Sequence, residues 1–186
     1  YRLNGPTFNF AEINMFNIVR HIIEPFKYLS SADFKLKFMR WKWRMASSNA
    51  LFSYMVKKMY ATNTPHLERE VFGMKFSSPI GLAAGFDRNG DMIESLAAAG
   101  FGFVEVGSIT SRPQRNITKP ALYELAEDRA LLYRGQTDSA GVEQVIENIK
   151  RRQSKIVVGC NIVKSDLTST EDAPLEYLRL FRPLYQ

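Results

Sequence analysis

Residues 79–90 read Pro-Ile-Gly-Leu-Ala-Ala-Gly-Phe-Asp-Arg-Asn-Gly; an Ala-rich stretch follows, then residues 102–110 read Gly-Phe-Val-Glu-Val-Gly-Ser-Ile-Thr. Two apolar runs flanking a short amphipathic segment make one βαβ unit. Each predicted strand ends in small residues: Ala83, Ala84 and Gly85 close the first, Gly107 and Ser108 the second. In parallel α/β folds the carboxyl ends of the strands carry the chemistry. Small residues there let a flat ligand lie against the backbone. Asp87, Arg88 and Asn89 follow the first strand at once, so polar groups are expected to line the rim.

The pattern continues outward from this unit. Val71–Phe76 reads as a short extended stretch. The first helix is expected over Asp91–Ala99, stopped by Gly100 just past its end. A second is expected over Gly141–Arg152, with Val142, Val145, Ile146 and Ile149 inward. A third strand covers Lys155–Ile162. A third helix covers Asp172–Leu184, with Pro174 in its first turn and Leu175, Leu178 and Phe181 inward. The expected fold class is α/β: about three strands of a (β/α)₈ barrel, which needs eight. Such a piece is expected to expose two strand edges and one sheet face.

The N-terminal part has a different character. Residues 1–76 hold 12 Lys/Arg against 5 Asp/Glu, while residues 77–186 hold 13 against 14. All of the net charge of +6 therefore sits in the first part, which points to a surface partner for that part alone. Ile13, Phe16, Val19, Ile22 and Ile23 recur at helical spacing up to Pro25. Over 33–45, Phe34-Lys35-Leu36-Lys37-Phe38 alternates like a strand. At helical spacing, however, Phe34, Phe38, Trp41 and Met45 share one face, and Leu36, Met39 and Trp43 lie opposite. Leu51, Phe52, Met55, Val56 and Met59 mark another amphipathic helix, and Thr62-Asn63-Thr64-Pro65 reads as a linker. This divides the chain into a helical extension, 1–65, and a barrel portion, 66–186. The single cysteine, Cys160, excludes an internal disulfide framework. His21 and His66 lie far apart, and no Cys/His/carboxylate group has metal spacing. No run of 18 apolar residues spans a membrane. No signal peptide is visible, although the chain starts at Tyr1 rather than Met.

These segments, in this order and spacing, resemble the N-terminal part of the membrane-associated, quinone-reducing class of dihydroorotate dehydrogenases. The resemblance covers roughly 16–186 and rests on Leu67–Phe76, the 79–110 unit, Arg112-Pro113-Gln114 with Lys119-Pro120, Ala140–Lys150 and Gly159-Cys160-Asn161-Ile162. It implies oxidation of dihydroorotate to orotate, with FMN as cofactor and a membrane quinone as acceptor. It implies FMN contacts at Ala84, Gly85, Ser108 and Asn161. Arg88 stands where the family usually has a lysine that meets flavin and substrate; arginine keeps the charge but is longer and planar. The substrate segment, Asn-Arg-Met-Gly-Phe-Asn in the family, here reads Tyr133, Arg134, Gly135, Gln136, Thr137 and Asp138, and only Arg134 matches.

Other ligand positions depart as well. Glu124 and Ala121 replace basic residues. Asp33 stands near an expected histidine, and Val163-Lys164-Ser165 replaces Gly-Lys-Asn. The family's catalytic serine follows strand three, so no catalytic residue is assigned; Ser154, Ser165 and Ser169 have no His or Asp partner nearby in sequence. The sequence thus reads as an incomplete copy of this enzyme, whose departures read either as ordinary divergence or as loss of the substrate and quinone sites. A non-catalytic remnant acting at a membrane surface, or in protein interactions, stays open. So does another FMN-dependent (β/α)₈ oxidoreductase. Residues 27–58, with eight Lys/Arg and one acid, are expected to associate peripherally with a membrane. The resemblance places that membrane as the bacterial inner membrane, on its cytoplasmic face, or the mitochondrial inner membrane in a eukaryote. Basic residues among aromatics also suit single-stranded nucleic acid, but no nucleic-acid module is visible and no such partner is expected. Plain helix packing with a solvated basic rim is a third reading of this segment.

Overall fold

The computed structural model describes residues 31–61, 65–118 and 121–185. The expected helix over 13–23, part of the linker, Lys119-Pro120 and Gln186 lie outside the described residues.

Helix α1 (Ala32–Ser48) starts where Ser31 caps it: the Phe34 N–H donates to Ser31 Oγ at 3.3 Å. The helical reading of 33–45 therefore wins over the alternating one. Asn49 turns extended and ends the helix, and its Oδ1 accepts from the Leu51 and Phe52 amides to start α2 (Ala50–Tyr60). After a 3₁₀ turn (Pro65–Leu67), β1 (Arg69–Val71) pairs antiparallel with β2 (Met74–Phe76). The two-residue connection takes positive φ at both Phe72 (53°) and Gly73 (74°), the conformation of a type I′ hairpin turn.

The centre is a parallel sheet of three strands in the order β3 (Gly81–Leu82), β4 (Phe103–Ile109), β7 (Val157–Ile162). Gly81 pairs with Phe103, and Phe103 with Val157. Between β4 and β7 the chain makes an antiparallel hairpin, β5 (Leu122–Leu125) with β6 (Ala130–Tyr133). Three helices cover one face: α3 (Ile93–Ala98), α4 (Val142–Lys150) and α5 (Ala173–Tyr185). Val104, Val106 and Ile109 of β4 meet Met92, Ile93, Leu96, Val142, Val145 and Leu180 there, all buried, with Ile146, Ile149, Val158 and Cys160 packed around them. The other face carries Phe103, Glu105, Gly159 and Asn161 and is open, with Gly159 exposed. A Cβ at Gly81 would fall 2.3 Å from the Phe103 ring, so glycine lets that ring lie flat on the open face.

Three expectations need correction. Helix α3 begins at Ile93 rather than Asp91, because the preceding residues form a loop bonded to Asp87. Its end is as expected: Gly100 has φ 93°, its amide donates to Ala97 O, and the Phe101 amide donates to Leu96 O. Strand three starts at Val157, not Lys155. Helix α5 buries Glu176 and Leu180, with Leu184 packed on the core; Leu175, Leu178 and Phe181 are exposed. Both stripes have helical spacing, and the one that carries Glu176 reaches Ser111 and Ser165.

The helical pair docks on α3. Ala46 is buried and Trp43 packs on the core. Ser47 Oγ accepts from the Ser95 amide at 3.0 Å, and Ser95 Oγ donates to Trp43 O at 2.9 Å. Arg44 meets Asp91 at 2.7 Å, and Lys35 meets Glu124 of the hairpin at 3.2 Å.

Candidate functional site

The strand ends converge. The Gly85 amide donates to Gly107 O at 2.8 Å, which joins the first strand end to the second. Ser108 Oγ donates to Asn161 Oδ1 at 2.7 Å, joining the second to the third. Beneath them Glu105 accepts from the Ala84 amide at 3.3 Å and from Asn161 Nδ2 at 3.4 Å. The structure thus brings Ala84, Gly85, Ser108 and Asn161 into one cluster. Gly85 has φ 105°, and a Cβ there would meet nothing within 4 Å, so the strand end faces open space. Gly107, with φ 135°, is hemmed in: a Cβ would fall 2.5 Å from Asn161 O.

The loop after β3 is held by Asp87. Its carboxylate is fully buried and accepts from the amides of Gly90 (2.8 Å), Asp91 (3.1 Å) and Met92 (3.0 Å). Asp87 therefore organises the loop rather than lining the rim. Burial raises its pKa, opposed by these backbone hydrogen bonds. Asn89 also turns inward: its Oδ1 accepts from the Ala140 amide at 2.9 Å, and its carbonyl accepts from Asn148 Nδ2 at 2.9 Å. Arg88 alone of the three is not bound into the loop; it pairs with Asp138 of the 133–138 segment at 3.4 Å. Arg40 of α1 adds positive potential nearby; burial lowers its pKa, and so do the charges of Arg88 and Arg44.

The remaining predicted positions are less gathered. Tyr133, Arg134, Gly135 and Gln136 are exposed, and Thr137 is half-buried. The Tyr133 phenol donates to Gln136 O at 3.0 Å, closing on its own turn. Among the described residues, their ion-pair link toward the strand ends is through Asp138 to Arg88. Gln114 braces this segment: its Nε2 donates to Thr137 O at 3.0 Å, and its Oε1 accepts from Ser165 Oγ at 2.9 Å. Glu176 is buried below, accepting from Ser111 Oγ and from the Ser165 amide. Burial works to raise its pKa, but hydrogen bonds from Ser111, Thr168 and Ser165 outweigh it and hold the carboxyl below its ordinary value.

A groove of about 310 Å³ lies between α1 and α2, lined by Trp43, Ala46, Phe52, Met55, Val56 and Met59 among others. Phe34, Phe38 and Trp41 stack in a row along the exposed side of α1. Sequence reasoning missed Glu105, Gln114 and Glu176 as organising groups. Glu105 gave a readable signal, since a lone carboxylate inside an apolar strand needs donors to be tolerated. Gln114 and Glu176 gave none, because their partners lie 11 to 65 positions away on other loops.

Comparison with known proteins bears on this site. The model of the family "Dihydroorotate dehydrogenase" matches residues 66–185. The dihydroorotate dehydrogenase (quinone) of Cellvibrio japonicus is 39% identical over 127 residues, 68% of this chain and 37% of that protein. That of Coxiella burnetii is 42% identical over 121 residues, 65% of this chain and 35% of that protein. Among solved structures, DHODH from Eimeria tenella in complex with ferulenol aligns with a TM-score of 0.63 at 30% identity, covering 80% of this chain and 40% of that one. The ligand-free form aligns with a TM-score of 0.51 at 33% identity, covering 69% and 39%. The chain thus spans little more than a third of the length of the curated relatives it matches.

Proposed function

The chain belongs to the dihydroorotate dehydrogenase family, and from that premise we propose that it serves the oxidation of dihydroorotate to orotate, with FMN as hydride acceptor and a membrane quinone as electron acceptor. The single observation that carries this reading is the junction of three parallel strand ends at Ala84–Gly85, Gly107–Ser108 and Asn161. In this reading the sheet is the first portion of a (β/α)₈ barrel, 66–186, and 1–65 is a helical extension.

The residues fit a flat, polar-edged cofactor. Open space over Gly85 accepts a ring, and Asn161 and Ser108 supply donor and acceptor atoms at its edge. Ala84, Gly85, Ser108 and Asn161 would hold FMN, which when bound supplies the hydride chemistry. Arg88 would meet both the flavin and the substrate carboxylate, its guanidinium held by Asp138. Arg134, with Tyr133, Gly135, Gln136 and Thr137, forms the remaining substrate segment. The base that takes the substrate proton is assigned to no residue here.

The groove between α1 and α2 would admit the quinone's apolar part. Residues 27–58 would bind the membrane peripherally, with Phe34, Phe38 and Trp41 outward and Lys37, Lys42, Lys57 and Lys58 toward anionic headgroups. No helix among the described residues is long and apolar enough to cross a membrane. The membrane we propose is the bacterial inner membrane, on its cytoplasmic face, or the mitochondrial inner membrane. The departures at Tyr133 and at 135–138 from the family's substrate segment favour the second reading, a non-catalytic remnant acting at a membrane surface or in protein interactions.

A chimera separates the two. Residues 1–186 are joined to the remaining length of the Coxiella burnetii relative and assayed for bound FMN and for dihydroorotate oxidation. The expected result is stoichiometric flavin with poor turnover. A chimera that folds yet binds no flavin overturns the site reading, and one as active as the parent removes the remnant reading.

A further inference from the structure

Glu105 is the one charged residue of β4, set between Val104 and Val106, both fully buried on the opposite face. None of the ion pairs among the described residues includes it. Its Oε2 accepts from the Ala84 amide at 3.3 Å and its Oε1 from Asn161 Nδ2 at 3.4 Å. Asn161 Oδ1 in turn accepts from Ser108 Oγ at 2.7 Å.

These three contacts have a direction. An ionised carboxylate accepts and cannot donate, whereas a side-chain amide does both at opposite ends. Glu105 therefore obliges Asn161 to turn its NH₂ downward and its carbonyl toward Ser108. Ser108 has a single hydroxyl hydrogen, and that carbonyl takes it. What remains for a ligand is the second N–H of Asn161 as the one side-chain donor, with the lone pairs of Ser108 and the second lone pair of the Asn161 carbonyl as acceptors.

We propose that Glu105 is a positioning residue that sets hydrogen-bond polarity at the strand ends, so that Asn161 offers a donor and Ser108 an acceptor. The matching ligand edge carries a carbonyl toward Asn161 and a ring N–H or hydroxyl toward Ser108, as the imide edge of a heteroaromatic ring does. The identity of that ring rests on the flavin reading above; the polarity does not.

The test is NMR on the isotopically labelled 186-residue chain, first without ligand. The Asn161 side-chain amide protons should show NOEs to the Glu105 γ-protons. Glu105→Gln, whose own amide can donate, should shift these protons and speed their exchange with water about tenfold, the effect of losing one charge-assisted hydrogen bond. Ser108→Ala should leave the NOEs in place, because Glu105 sets the direction. Amide protons on the Ser108 side in the unsubstituted chain overturn the proposal. So does an unchanged spectrum in Glu105→Gln, or reversal of the amide in Ser108→Ala. If Glu105→Gln fails to fold, the NOEs of the unsubstituted chain and of Ser108→Ala decide alone. FMN is then added as probe. Absence of any perturbation at Ser108 and Asn161 counts against the flavin reading and leaves the polarity result standing.

Discussion

At the residue scale, Gly135 and Asn116 decide together what the 133–138 segment can become. A Cβ on Gly135 would fall 2.1 Å from Asn116 Nδ2, and its φ is 154°. Asn116 Oδ1 accepts from the Thr118 amide at 2.9 Å and the Gln136 amide at 3.3 Å, so it is not free to leave. Restoring the family's residues is therefore not one operation. In the chimera, Tyr133→Asn alone is predicted to raise dihydroorotate turnover by roughly tenfold to a hundredfold, the effect of regaining ~1–3 kcal/mol of amide bonding in a polar site. Gly135→Met alone is predicted to lower the melting temperature, and Asn116→Gly beside it to relieve that loss. Thermal denaturation and initial rates read both. A rate unchanged by Tyr133→Asn would show that the phenol is tolerated. Glu176 supports a separate prediction. Its folded pKa lies below its ordinary 4.5, so the carboxylate contributes stability above pH 4.5 that is lost as pH falls through the folded value. Glu176→Gln should flatten the fall in unfolding free energy below pH 4.5, measured by urea titration at several pH values. An identical slope in both proteins would show that the carboxylate is not what joins Ser111 to Ser165.

At the element scale, α5 shows where sequence reading runs out. Leu175, Leu178 and Phe181 form one helical stripe, and Glu176, Leu180 and Leu184 form another. Periodicity scores them alike, and hydropathy favours the first. The second is buried because its carboxylate has donors waiting on two loops. That is a long-range fact with no local signature. The βαβ unit was legible for the opposite reason: its strand ends must be small, and Ala84, Gly85 and Gly107 say so in the sequence itself. Asn161 was legible only through resemblance, and Glu105, quoted but given no role, was the missing link between them. Leu180→Ala is predicted to cost ~2–5 kcal/mol, as a buried leucine does, while Leu178→Ala costs within about 0.5 kcal/mol, as an exposed site does. Chemical denaturation of both variants measures this. Equal losses would mean that both stripes are covered in solution.

At the scale of the whole molecule, the two tryptophans divide their roles. Trp41 is exposed in the stack with Phe38, whereas Trp43 packs on the core and lies 6.1 Å from the Tyr60 ring. Trp41→Ala is therefore predicted to weaken binding to anionic vesicles with little change in melting temperature. Trp43→Ala should lower the melting temperature instead. Vesicle binding should fall as salt rises, since part of the attraction is screened charge. Equal binding to neutral and anionic vesicles would remove the membrane reading. The docking of α1 carries one more consequence. Arg44 holds Asp91, and the Asp91 amide is held by Asp87, whose carbonyl accepts the Gly107 amide at 3.0 Å. From α1 to the strand ends the linkage is short and bonded at each step, with no slack length of chain between. A body resting on a bilayer is tilted by each undulation beneath it. If the proposed membrane contact holds, such a tilt would act as torque on a stiff lever whose far arm is the strand-end cluster of Gly85, Gly107 and Asn161.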